Sequence, residues 1–272
     1  MHRRNIAQHY DTYRSRGKSQ DHMLVPRKCH NFVKSCLINR FTKEQSRVLD
    51  MCCGNGGDIA KLKAAGCVQY IGVDISQKAC ERAQARLENS QLMGDVIVSD
   101  AFGCEILEIV IHLRSFDVVS CQFALHYSFD SFEHARSALQ IVSNALKVGG
   151  AFIGTVADGD KLDIRRTALG KKFGDRYFKV RFKEQDPSEF GDAYAFTFNG
   201  AVDNLTEYAT RQCTFRRLAE SVGLRVDVWE NMSKLATELR YDHEDQWCRM
   251  GCTDVVDVTS LYSVFACTKV DV

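Results

Sequence analysis

The stretch "VLDMCCGNGGDIAKL", residues 48–62, decides how this chain is read. A short apolar run ends at Asp50, passes glycines at 54, 56 and 57, and becomes helix-like. A glycine-rich turn between strand and helix lets backbone approach a ligand at the helix N-terminus. Around it, from about residue 46 to 156, strand-like and helix-like runs alternate, the pattern of a parallel sheet with crossover helices. The strand candidates are "RVLDM", "QYIGVD", "DVIVSD", "FDVVSCQ" and "GAFIGTV". "GDIAKLKAA" and "QKACERAQARLE" read as helices. So does "SFEHARSALQIVSNALKVGG", whose apolar stripe Phe132, Ala135, Leu139, Val142 and Leu146 is expected to stop at Gly149. Five strands in series give a doubly wound, Rossmann-like α/β fold.

Working outward, "CHNFVKSCLINRF" is a short amphipathic helix ahead of the sheet, an N-terminal helical segment. Residues 157–206 lose the alternation, and "YFKVRF" and "AYAFTF" alternate with period two, as a small antiparallel insertion after the fifth strand would. "TFRRLAESVGL" then reads as helix, "RVDVWE" as strand, the residues to about 250 as polar helix, and "SLYSVFACT" as the last of seven strands. With two prolines and no internal repeat, one domain over 1–272 is expected, its core at about 46–156 and its insertion at about 157–206.

The 272 residues carry a formal net charge of +1, which excludes a global positive field, so an RNA partner would be held locally. No apolar stretch is long enough to span a bilayer. The twelve cysteines fall singly in apolar runs or as the pair Cys52 and Cys53, and "MHRRNIAQHYDTYRSRG" has no apolar signal segment. Together these predict a reducing compartment with most thiols as small buried side chains. Cys248 and Cys252 could share a helix face, but without a second pair no metal is expected.

Dinucleotide enzymes place a pyrophosphate over such a turn with the spacing Gly-x-Gly-x-x-Gly. Here the third position is Ile59, and Asp58 puts a carboxylate where a pyrophosphate would be repelled. Asp74 ends the second strand candidate, placed to accept two ribose hydroxyls. Asp100 ends the third, placed to accept from an adenine amino group. Carboxylates at successive strand ends, with the glycines, suit S-adenosylmethionine (SAM), a sulfonium bearing an amino group. The fourth strand candidate ends in "SCQFALHYSFDSFEHA", which sets Gln122, His126, Tyr127 and Phe129 at the rim of the same pocket.

That run resembles the rim motif of the mRNA cap guanine-N7 methyltransferases. "HYD" at 9–11, "HNFVKSCLI" at 30–38, "VLDMCCGNGGD" and "NLTEYATRQCTFRRLAESVGL" extend the resemblance over nearly the whole chain. It implies methyl transfer from SAM, leaving S-adenosylhomocysteine, to guanine N7 of the mRNA cap. It further implies Lys34, Asp50, Cys52, Gly54, Asp74, Asp100, Gln122 and Tyr127 around SAM. Around the guanine it implies His30, Asn31, His126, Tyr127, Glu207 and Tyr262, with Arg86 toward the cap phosphates. The expected partners are the 5′ cap and, on other chains, a guanylyltransferase, a triphosphatase or RNA polymerase machinery. No membrane is expected, and the protein should be a nuclear monomer (cytoplasmic if viral). The resemblance breaks where Cys52 replaces a glycine, Asn55 a lysine, His30 an asparagine and Ala157 a proline. From Asn55 we expect weaker, less salt-sensitive cap binding.

Guanine N7 carries a free lone pair, so orientation by His126, Tyr127 and Glu207 replaces acid–base catalysis. Methylation of another purine or a small amine is the nearest rival, and a non-catalytic capping subunit the next. A dehydrogenase fits least, lacking the third glycine.

Overall fold

The computed structural model describes residues 6–9, 11, 24–103, 105–106, 115–184, 186–199 and 202–271. Helix α1 (Leu24–Phe41) precedes β1 (Ser46–Met51), α2 (Ile59–Ala64), β2 (Cys67–Asp74), α3 (Gln77–Ser90) and β3 (Met93–Val98). β4 (Phe116–Gln122), one tight turn at Leu125–Ser128, α4 (Phe132–Ala145) and β5 (Leu146–Ala157) follow. α5 (Gly159–Leu169) leads into β6 (Lys172–Gly174), β7 (Phe178–Phe182), β8 (Ala193–Phe198) and β9 (Val202–Tyr208). α6 (Gln212–Ser221), β10 (Leu224–Asn231), α7 (Met232–Asp242), α8 (Glu244–Arg249) and β11 (Tyr262–Lys269) complete the chain.

The strands form a seven-stranded sheet in the order β10-β11-β5-β4-β1-β2-β3 and a four-stranded sheet in the order β6-β7-β8-β9. In the larger sheet only β11 runs antiparallel to its neighbours. Val48, Tyr70 and Val118 enter the core on one face, and Leu49, Ile71 and Val119 on the other. A parallel sheet covered on both faces needs such near-continuous apolar strands, which is why "VLDM" and "YIGVD" lack alternation. Ser76 and Ser131 cap α3 and α4, their hydroxyls accepting from the N–H groups of Ala79 and His134.

Three expectations are corrected. α4 ends at Ala145, ahead of Gly149, because Leu146 already pairs with Phe116 across β4. Gly149 instead takes a left-handed φ of +82° where the β4–β5 register is irregular. Asp100 does not end β3, which stops at Val98; it lies in the following turn. The small antiparallel insertion after β5 is present, as a four-stranded sheet preceded by α5. The polar stretch before residue 250 is two helices, divided at His243. Of the "HYD" motif, Tyr10 lies outside the described residues.

Candidate active site

A cleft of about 240 Å³ opens at the carboxyl ends of β1, β2 and β4, where open α/β sheets bind ligands. Its wall includes Cys52, Gly54, Asp74, Asp100, Gln122 and Tyr127. A side chain at Gly54 would meet nothing within 4 Å, so backbone there is open to a ligand, at a φ of +53°. Gly56 serves packing instead: a Cβ there would stand 2.6 Å from Ile59 Cδ1.

Asp74 is held by the turns it joins. Its carboxylate accepts from Gly54 N–H at 2.8 Å and Ser76 N–H at 2.9 Å. Burial raises its pKa, opposed by those donors. The Ser76 hydroxyl donates at 2.6 Å to Asp11, which draws the N-terminal segment against α3, and Ile6 of that segment lines the cleft. Asp100 accepts from Phe102 N–H at 3.0 Å. Gln122 donates to Ser120 at 3.2 Å, while its carbonyl oxygen is buried with no partner among the described residues.

Two non-glycine residues of this wall, Cys52 and Phe123, both adopt a φ of +57°, which costs roughly 1–2 kcal/mol each. The glycine that Cys52 replaces would adopt this φ without that cost. The adjacent Cys121 thiol, then burial, hold the Cys52 thiol well above the ordinary range, so it is not a nucleophile. Phe123 turns its ring between His30, at 5.1 Å, and Tyr262, at 4.8 Å and perpendicular.

Next to the cleft lies a second, enclosed cluster. Glu207, on β9 opposite Tyr194 of β8, faces the same side as the apolar side chains of the insertion. Tyr194 donates to Glu207 Oε2 at 2.8 Å, and Tyr127 makes a long 3.5 Å bond to Oε1. Glu207 sits inside strand β9 rather than in a turn. His126 packs tilted against Tyr127, ring centroids 4.5 Å apart, and its Nε2 lies 3.5 Å from Glu207 Oε1 without hydrogen-bond alignment. Both His126 ring nitrogens and His30 Nε2 are buried without a hydrogen-bond partner among the described residues. Buried polar atoms are seldom left so. Burial, with Lys34 second, pushes His30 down to about 3, so it is neutral near pH 7.

The structure brings Cys52, Gly54, Asp74, Asp100, Gln122 and Tyr127 together on the cleft, and His30, His126, Glu207 and Tyr262 beside it. It does not bring Lys34, Asp50, Asn31 or Arg86 to the cleft wall. The Lys34 ammonium sits 2.8 Å from Asp58, which Lys61 also binds at 2.7 Å. Asp58 is thus neutralised rather than repelling anions over the turn. Asp50 is buried, accepts from Tyr70 O–H at 3.0 Å and is pushed up to about 7 by burial and then by Asp58. Arg86 is exposed on α3, whereas Arg82, one turn earlier, donates to Asn55 at 3.1 Å. The turn therefore has a cation despite Asn55. Phe123, Tyr194 and Arg82 escaped the sequence reading. The period-two run "AYAFTF" was the available signal for Tyr194, whose hydroxyl then needed a buried acid.

This fold is that of SAM-dependent methyltransferases. A SAM-dependent methyltransferase from Clostridium acetobutylicum superposes with a TM-score of 0.57 over 98% of this chain and 99% of that one, at 18% identity. A putative SAM-dependent methyltransferase from Listeria monocytogenes gives 0.59 over 90% and 99%, at 16% identity. The chain belongs to the mRNA (guanine-N(7))-methyltransferase family, whose domain matches residues 1–250. It is 36% identical over 230 residues to the mRNA cap guanine-N(7) methyltransferase of Candida glabrata, covering 77% of this chain and 55% of that protein. For the Schizosaccharomyces pombe enzyme the identity is 37% over 214 residues, covering 74% and 59%. The chain thus spans little more than half the length of these curated relatives.

Proposed function

We propose that this chain methylates N7 of the guanine in the 5′ cap of mRNA, using SAM as donor. The observation that carries this reading is the buried Glu207 carboxylate with the orphaned His126 ring, directly beside a cleft lined by Asp74 and Asp100. When bound, SAM supplies an electrophilic methyl group on a sulfonium. Asp74 suits ribose hydroxyls, Asp100 an adenine amino group, and the unpartnered Gln122 oxygen a donor from either ligand. The open backbone at Gly54 fits a ligand lying close against the turn.

Guanine presents N1–H and N2–H donors on one edge and the N7 lone pair on another. Tyr194 occupies one Glu207 oxygen and turns the other toward Tyr127 and His126. A carboxylate there accepts from the guanine edge and discriminates against adenine. As N7 is alkylated, positive charge appears on the purine, and Glu207 and the neighbouring aromatic faces attract it more strongly than the neutral base. N7 needs no prior deprotonation, so these residues orient the base and exclude water. His30, Phe123 and Tyr262 supply the apolar wall.

This reading takes the chain as a monomeric single domain, with the insertion sheet, through Glu207 of β9, completing the cap side. Fungal and plant relatives favour a nuclear setting. Among the described residues no helix is long and apolar enough to cross a membrane. The test compares GpppG-capped RNA, uncapped RNA and free purine nucleotides as methyl acceptors. Methylation confined to the cap guanine is expected, with kcat/KM falling about 10²–10³-fold in Glu207→Ala. Equal methylation of uncapped RNA, or full activity in that variant, would remove the reading.

A further inference from the structure

The outer face of the insertion sheet holds a concave basin of about 520 Å³ rimmed by cations. Along β7, Phe178, Val180 and Phe182 are buried, while Lys179 and Arg181 point outward. On β8 they stand opposite small side chains, Thr197 and Ala195, which form the floor. On β6, Lys172 stands directly opposite Arg181. Like charges paired across strands destabilise a sheet, so this arrangement has a cost that an anion lying between them would relieve.

The face does little to neutralise these charges. Among the described residues the Lys179 side chain has no ion pair or hydrogen bond. Arg181 donates to the neutral Asn204 side chain at 3.3 Å. Glu184 acts on Lys172 but is itself bound by Lys171 at 2.7 Å. Asp175, at the rim, accepts from the Tyr177 and Phe178 N–H groups at 2.6 and 3.1 Å. Residues 171–184 hold six basic and two acidic side chains in a chain whose net charge is only +1. The positive charge that the whole molecule lacks is concentrated here.

We propose that this basin binds the phosphodiester backbone of the RNA chain that follows the cap. The inference rests on the cap-methylation reading and adds a second substrate contact to it. Ammonium and guanidinium groups above small, polar floor residues suit a backbone read without regard to sequence. The placement fits as well. Glu207 and Asn204 lie three residues apart on the edge strand β9, facing opposite sides, so one sheet thickness separates the cap side from the basin. An RNA chain fits better than an acidic protein because the strand that carries Glu207 also contributes to the basin.

The test uses the double charge reversal Lys172→Glu/Lys179→Glu, two exposed positions remote from the cleft wall. Its affinity for an uncapped single strand of about 20 nucleotides, read by fluorescence anisotropy, should fall about tenfold, and the salt slope by about 1.4, roughly 0.7 per lost contact. KM for a capped RNA of that length should rise similarly, while KM for the GpppG dinucleotide and affinity for SAM stay unchanged. Lys172→Arg/Lys179→Arg should behave as the parent. Unchanged RNA affinity would overturn the proposal, even if an acidic protein partner were lost. So would an equal rise in KM for GpppG, which marks damage to the cap side. If the parent methylates neither substrate, the activity reading fails, and the anisotropy of uncapped RNA still decides the basin.

Discussion

Asp74 and Glu207 are both buried carboxylates, 8% and 3% exposed, yet the chain places them by different means. Asp74 ends a strand of the main sheet and is fixed by backbone N–H groups of the turns beside it. Glu207 belongs to the insertion and is fixed by side chains: Tyr194 across one strand pair, Tyr127 and His126 from beyond β4. The first arrangement is a property of strand ends and turns. The second exists only if the insertion sheet docks correctly on the core. The cofactor side should therefore tolerate damage to the insertion, and the base side should not.

The largest effect that would break this contrast is on docking. Asp192, fully buried, accepts from Arg166 of α5 at 3.2 Å and from Arg211, just before α6, at 2.6 Å; Arg211 also binds Asp163. Asp192→Ala leaves two guanidinium groups with less compensation and should destabilise the fold by about 3–5 kcal/mol in denaturant unfolding. Below the unfolding transition, SAM binding should outlast cap binding. Simultaneous loss of both at every temperature would dissolve the distinction.

The contrast also explains how much was legible. Strand-end acids and the glycine turn repeat a local pattern, so Asp74, the seven strands and the cleft followed from "VLDMCCGNGGD" and its successors. Asp100 slipped by two residues because strand ends depend on pairing rather than on residue type. Glu207 is placed by the resemblance alone, because its partner Tyr194 is set by strand register, which no local window contains. The resemblance puts Lys34 near the donor; its ammonium binds Asp58 and lies 6.0 Å from the ring centroid of Phe123 on the cleft wall, partners that no local window contains.

An intermediate effect concerns pH. His30 is pushed down to about 3, so the unfolded chain binds more protons between that value and its ordinary range near 6.5. Its contribution to stability therefore falls as pH drops below about 6.5. Asp50 is pushed up to about 7, so the native state binds more protons from about 4 to 7, and its contribution falls as pH rises through that window. The two slopes oppose each other. Asp50→Asn should make the protein relatively more stable at pH 8 than at pH 5, by on the order of 2 kcal/mol compared with the parent. His30→Phe should shift the balance the other way. Parallel shifts in both variants, read by chemical unfolding, would contradict these assignments.

The smallest effect isolates one hydrogen bond. Tyr194→Phe keeps the ring in the insertion core but frees Glu207 Oε2. KM for capped RNA should rise about fivefold, corresponding to about 1 kcal/mol, with SAM affinity unchanged. A matching loss of SAM affinity would show that the two sides are not separable.

Titration calorimetry of Asp74→Ala and Glu207→Ala, each with SAM and with a GpppG cap analogue, tests the central division of the site. Asp74→Ala should lose SAM affinity by about 10²-fold and retain cap binding, and Glu207→Ala should do the reverse. Loss of both ligands in either variant, or of neither, would contradict a donor cleft and a purine cluster built side by side.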